Sequence, residues 1–369
     1  MSIEIAMKKN GFPRLVTTQL GMGLVEILVG LVIGLIGVLV IFQTMAVWGE
    51  RTATTVSGGD SRTSGAIGMH YLAQDLAQGG LGFGRTDAPG RQFVPGCYFT
   101  AAGGNFRLAA VDITDGANGA PDAVTVLYGG TLDKNVDFSD VALFREDKEN
   151  AGKFYSYQGR ALLMDDWVVL GKQGGDCELR RVKSGELVSG KNTLNQIEFD
   201  TPPTEVTSGN LLYLGDQPQR ATWSVSGNGL LRTESFSATS STISDGVVDI
   251  QAQYGLVDGT KRIWQSEDPA DWSQVRAVKV AFLVRSKQFE KTDLYVDGGA
   301  EPCRAPACTV PVWYQNESDA DGDGDGDGDG KPVRFVMSNL ADGTDWRRYR
   351  YEVFERVIPL RNVIWGAQP

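Results

Sequence analysis

A chain of 369 residues that is 41% apolar and 22% charged has the composition of a folded protein with one large or two ordinary domains. Its net charge of −11 repels a phosphate backbone, and no basic stripe interleaved with aromatics occurs, so nucleic acid is not an expected partner. Four cysteines and a lone histidine, His70, leave little for soft-metal ligation or neutral-pH proton transfer, which argues against most enzyme classes.

The first residues are polar, with Lys8, Lys9 and Arg14 against Glu4, and then comes "GMGLVEILVGLVIGLIGVLVIF", residues 21–42. Positive charge beside a first apolar segment is retained in the cytoplasm, which places the N-terminus there and the remaining chain across the membrane, in the periplasm. As a helix, Met22 to Phe42 would be about 31 Å long, matching a hydrocarbon thickness of about 30 Å. The run exceeds the apolar core of a cleaved secretory signal. The following "QTMAVWGERTATT" offers no small-x-small site, so the run is expected to be kept. Glu26 lies inside it. At a bilayer centre a carboxylate costs about 2.5–3.5 kcal/mol. Glu26 sits about one turn from the cytoplasmic end, where snorkelling and the positive helix terminus lower that cost.

The order Gly21, Met22, Gly23, Leu24, Val25, Glu26 resembles the class III signal of type IV prepilins. In that signal a basic leader ends in Gly and the next residues read roughly F-T-L-x-E; Met22 and Gly23 depart from the commonest residues. The resemblance implies cleavage after Gly21 by a prepilin peptidase, methylation of the Met22 amine, and retention of the helix as an assembly spine. It also implies that Glu26 compensates the ammonium of Met22, its own or a neighbour's, when helices pack in a dry bundle. Gly30, Gly34 and Gly37 suit close helix approach. Met7, opening "MKKNGF", is the expected start for such a leader. The leader then covers 1–21 and the helix 22–80, with 22–42 in the membrane.

Gly58 and Gly59 are expected to interrupt this helix. Beyond them "SGAIGMHYLAQDLAQGG" places Ile67, Met69, Leu72, Ala73, Leu76 and Ala77 on one face, to lie against a sheet, with Gly79 and Gly80 as the stop. His70, beside that face, reads as a packed or half-exposed structural residue. "GGLGFG" lacks dinucleotide-binding spacing and reads as a flexible exit loop. From about Phe93 onward, runs such as "DAVTVLY", "NQIEFD", "NLLYLG" and "VRAVKVAFLVRS" predict strands separated by turn residues. Val278, Val280, Phe282 and Val284 share one strand face, as do Phe354, Ile358 and Leu360 in "RRYRYEVFERVIPL". "SGNGL" and Asp258-Gly259 are hairpin signals. The fold class is α+β, with a long N-terminal transmembrane spine α-helix followed by a β-rich, pilin-like periplasmic domain over 81–369.

Three segments, "GVVDIQAQYGLVDG", "VRAVKVAFLVRS" and "RRYRYEVFERVIPLRN", resemble in order and placement those of PilW-type minor pilins. These are similar to the J-type minor pseudopilins of type II secretion. The implied function is that of a low-abundance subunit that initiates or caps a type IV pilus, a filament serving adhesion and twitching motility. Its implied partners are the prepilin peptidase, the inner membrane, and other minor pilins and the major pilin through the helix. The implied final location is the pilus at the cell surface. The alternatives are a pseudopilus subunit or a calcium-responsive tip adhesin.

An oxidising periplasm suits disulfides, and four cysteines allow three pairings. The favoured one joins Cys303 to Cys308 and Cys97 to Cys177; the latter closes about 80 residues and is worth roughly 4–5 kcal/mol before strain. A zinc site is the rival, with poor spacing. The acidic loop 317–332 alternates aspartate with glycine. It reads either as a solvated loop or as a weak calcium site built from Asp321, Asp323, Asp325, Asp327 and Asp329. Asp321, Asp323, Asp325 and Gly326 match the start of an EF-hand loop, but Pro332 stands where its bidentate Glu belongs. No other cofactor and no catalytic constellation is expected.

Overall fold

The computed structural model describes residues 23–83, 96–101, 104–131, 141–157, 162–171, 177–188, 194–258, 261–288, 309–314, 332–336 and 343–366. They form an α+β protein, an apolar N-terminal helix followed by a β-rich domain, divided into two compact units, Met1–Thr55 and Val56–Pro369. In the first unit, Leu24–Met45 of helix α1 (Leu24–Gln78) is long and apolar enough to cross a membrane, and none of it is buried within the chain. A Cβ added at Gly30, Gly34 or Gly37 would meet nothing within 4 Å.

Within the second unit, Gly58 and Gly59 are helical rather than an interruption. Each glycine costs a helix about 1 kcal/mol but leaves the hydrogen-bond ladder intact, so a long helix tolerates the pair. Ser61, Gly65, Gly68, Met69, Leu72, Ala73 and Leu76 are buried, a stripe at three- and four-residue spacing. Ile67 is 42% exposed and lies with Tyr71 on the other face, contrary to the expectation that it joins the stripe. Gly65 and Gly68 take its place because the sheet approaches too closely for larger residues. His70 is exposed and stacks edge-on with Tyr71. The helix stops at Gln78, and Gly80 follows with φ +78°, a conformation glycine adopts without strain.

The strands, in chain order, are β1 (Tyr98–Ala101), β2 (Gly104–Arg107), β3 (Val111–Thr114), β4 (Ala123–Tyr128), β5 (Val141–Glu146), β6 (Lys153–Ser156), β7 (Trp167–Gly171), β8 (Cys177–Leu187), β9 (Asn195–Phe199) and β10 (Ser208–Gly215). They continue as β11 (Gln219–Ser226), β12 (Gly229–Glu234), β13 (Thr239–Asp245), β14 (Val247–Asp258), β15 (Lys261–Gln265), β16 (Val275–Arg285), β17 (Thr309–Tyr314), β18 (Pro332–Val336) and β19 (Tyr351–Pro359), before α2 (Arg361–Gly366). A five-stranded sheet has the order β13-β12-β11-β4-β3, and a four-stranded sheet the order β15-β14-β16-β19. Strands β5 to β10 close into a six-stranded antiparallel barrel, which the sequence did not disclose. Of the hairpin signals, "SGNGL" turns β11 into β12 with Gly227 and Asn228 at φ 58° and 61°, and Asp258 pairs with Lys261 to join β14 to β15.

One core lies between the helix and the two open sheets. Met69, Leu72 and Leu76 pack with Val124, Val126 and Trp223 of the five-stranded sheet and with Ile250, Val280 and Phe282 of the four-stranded one. The predicted faces hold here: Val278, Val280, Phe282, Val284, Ile358 and Leu360 are all in this core, with Phe354 packed against it. A second core, including Phe144, Phe154, Ile197 and Phe199, fills the barrel. Residues 79–83 of "GGLGFG" are held by hydrogen bonds rather than loose. Gly80 N–H donates to Leu127 O at 2.9 Å and Gly129 N–H to Leu81 O at 2.6 Å, so the turn is tied to β4 and the chain after it.

The close approach at Gly65 makes a quantitative prediction. A Cβ there would stand 2.3 Å from the Phe354 ring, whereas one at Gly59 meets nothing within 4 Å. Alanine gains about 1 kcal/mol of helix propensity at either position. Gly59→Ala should therefore raise stability by about 0.5–1 kcal/mol, and Gly65→Ala should lower it by about 1–2 kcal/mol because overpacking outweighs the propensity. Chemical denaturation of the two variants beside the parent chain checks the opposite signs.

Candidate functional site

Glu26 occupies the first turn of α1, where an acid complements the helix dipole. The turn begins with Glu26 N–H and Ile27 N–H donating to Gly23 O at 2.9 and 3.3 Å. Gly21 and Met22 lie outside the described residues, as do Cys303, Cys308 and Asp321, Asp323, Asp325, Asp327 and Asp329. The acidic segment does have a defined base: Tyr314 of β17 pairs with Pro332 of β18, so the strands on either side of residues 315–331 form a hairpin. Phe335 of that hairpin is fully buried. Cys97 and Cys177 are bonded to each other, tying the segment before β1 to the first residue of β8.

The helix joins the five-stranded sheet through Asp75, which sequence reasoning passed over because its neighbours Leu72 and Leu76 carried the apolar pattern. Its Oδ1 accepts from Tyr128 Oη at 3.1 Å, and its Oδ2 accepts from Trp223 Nε1 at 2.9 Å and Arg232 Nε at 2.7 Å. Asp75 is buried and Trp223 fully so, which makes these charge-assisted bonds in a dry setting. Burial disfavours the Arg232 charge, but the hydrogen bond and charge of Asp75 outweigh it and raise the guanidinium above its ordinary value. Burial, reinforced by the Asp75 charge, raises the Tyr128 phenol as well. At the helix end, Asn362 Nδ2 of α2 donates to Gln78 O at 3.0 Å, satisfying a terminal carbonyl. A polar residue embedded in an amphipathic stripe is the signal that would have pointed to Asp75.

A second buried polar group joins the two sheets to each other. Asp122, just before β4, donates its N–H to Ile250 O at 2.8 Å and accepts from Ala252 N–H at 2.7 Å and Gly116 N–H at 2.9 Å. Beside it on β14, Gln251 Nε2 donates to Ala120 O and to Asp249 Oδ1, both at 3.1 Å. Asp249 is wholly buried and its Oδ2 has no hydrogen-bond partner. Burial pushes the Asp122 carboxyl up to about 7 against the lowering effect of its two backbone donors, and pushes Asp249 up to about 8. Raised carboxyls of this kind also occur in catalytic acids. Here Asp122 spends both oxygens on backbone donors and Asp249 is closed from solvent, an arrangement that bridges elements. Among the described residues, no group of three or more His, Cys, Asp or Glu side chains is placed to hold a metal.

No curated protein and no solved structure matches the chain. A family model does match in part: residues 223–362, from the middle of β11 to the start of α2, are similar to the family described as Type IV Pilus-assembly protein W.

Proposed function

We propose that this chain is a minor-pilin-type subunit that takes part in initiating and assembling a type IV pilus, in its tip or priming complex. The observation that carries the reading is the coexistence, in one chain, of the match over residues 223–362 and an exposed apolar helix with Glu26 in its first turn. On this reading a prepilin peptidase cleaves after Gly21 on the cytoplasmic face of the inner membrane. The new amine on Met22 then stands four residues before Glu26, the helical spacing at which opposite charges meet. While the helix is in the bilayer, both groups lie near the interface. When it enters a bundle of apolar helices they are desolvated together, and a neutralised pair is tolerated where a lone charge is not. The helix contacts other minor pilins and the major pilin, and the β-rich body follows it to the cell surface.

Two measurements test this. Peptide mass spectrometry of the native membrane protein should find a chain beginning at N-methylated Met22. Glu26→Ala should be cleaved as the parent is, yet be depleted at least tenfold from sheared pili, since removing one partner of a buried pair costs about 3–5 kcal/mol. Normal incorporation of that variant would remove the role given to the acid. Recovery of the parent chain with a secretion apparatus rather than with pili would favour the pseudopilus alternative.

A further inference from the structure

We infer that the six-stranded barrel is an inserted cassette, which opens and closes independently of the helix–sheet body and takes no part in assembly. The second half of that statement rests on the proposed function; the first does not. Strands β4 and β11 are hydrogen-bonded neighbours, paired from Val124 with Trp223 to Tyr128 with Gln219, and the whole barrel lies in the connection between them. Where the chain leaves and returns, the two segments touch. Gly130 N–H donates to Leu214 O at 2.9 Å and Gln217 N–H to Gly130 O at 2.8 Å. The neck is too narrow for side chains: a Cβ at Gly130 would stand 2.2 Å from Gln217 O, and one at Gly215 would stand 2.0 Å from Gly130 O. In topology the barrel is an enlarged hairpin loop.

Closure reinforces the separation. Every barrel strand has two barrel neighbours, so no edge is left to share a ladder with the body sheets. Phe144, Phe154 and Phe199 stack within the interior, with ring centroids 6.4 and 5.2 Å apart along the series. This interior cluster is distinct from the one under the helix. Attachment to the body is lateral, through a smaller cluster that includes Leu127, Val169, Leu179 and Leu212, the Trp167–Phe236 ring contact at 5.3 Å, and the Cys97–Cys177 bond. The bond holds the barrel to the body even when its interior opens. The family match begins at Trp223, so the barrel precedes all of it.

The test uses the full chain with its disulfide intact. Phe154→Ala removes a ring that is 1% exposed at the centre of the barrel interior, and Ile197→Asp opens that interior should repacking absorb the smaller change. Native-state hydrogen exchange should show peptides from β5, β6 and β9 losing protection at least a hundredfold, while β14 and β16 keep theirs within about threefold. Both variants should appear in sheared pili at the parent's level. An equal loss of protection in β14 and β16 would show one cooperative unit and overturn the inference. Protected sheets with lost incorporation would overturn it differently, by making the barrel part of the assembly surface. If the parent chain itself is absent from pili, the assembly reading fails, and the exchange data still decide the cassette.

Discussion

Asp75→Ala is expected to destabilise the helix–sheet body by about 3–5 kcal/mol: two buried neutral donors are left unsatisfied at about 1–3 kcal/mol each, and half-buried Arg232 loses the nearer of its two carboxylates. Three donors lose this acceptor together: the Arg232 Nε–H, whose guanidinium keeps Glu234 at 3.8 Å, the Trp223 indole and the Tyr128 hydroxyl. Trp223 has no exposed surface, so water cannot replace the lost acceptor without opening the sheet. The conservative Asp75→Asn keeps the shape and one acceptor oxygen, and should cost roughly 1–3 kcal/mol. Opening free energies of β14 and β16 amides measure both. A loss below about 1 kcal/mol for the alanine variant would mean that the contacts at Asp75 are incidental and that apolar packing alone seats the helix. The consequence extends to assembly as proposed, because a spine that is pulled upon must be fastened to the body it carries. Asn362, capping the same helix from the far end of the chain, belongs to that fastening.

How much of this was legible beforehand depends on the range of the interaction. Short apolar runs bounded by turn residues became β4, β9, β10 and β16, a local signal whether the strand buries every second residue, as β9 does, or is buried continuously, as β4 and β10 are. The turn at Gly227-Asn228 was legible for the same reason, since its backbone demands those residues. The barrel was not, because closure is a matter of partners: β10 pairs with β5 on one side and β7 on the other, and neither choice leaves a trace in β10 itself. Ile67 fits the apolar spacing of the stripe, yet a glycine holds the buried position where a ring such as Phe354 lies over it. Gly58 and Gly59 differ in the opposite sense, since each carries a propensity cost that does not amount to a break. Asp75, Asp122 and Asp249 were hidden because a buried acid resembles a surface acid until its donors are known.

The pH dependence of stability follows from the last two of those acids. Asp122 at about 7 and Asp249 at about 8 are both raised by burial above the unfolded value of about 3.9, and each is raised further by other carboxyls, Asp115 beside Asp122 and Asp122 beside Asp249. Between those values the folded chain holds protons that the unfolded chain has released, so stability falls as pH rises. The contribution is complete below about pH 4 and is lost by the time the pH has passed 7 and then 8. A shift of one unit is about 1.4 kcal/mol, so several kcal/mol are at stake across that window. Asp249→Asn removes the charge while keeping the shape and an acceptor for Gln251. It should stabilise the body by about 1–3 kcal/mol at pH 8.5, have little effect at pH 5, and flatten the slope between them. Denaturation midpoints at the two pH values, for parent and variant, measure this. An unchanged slope in the variant would mean that Asp249 stays ionised in the folded chain. The bridge through Asp122 to Ile250 and Ala252 would then have to hold with two charges beside it.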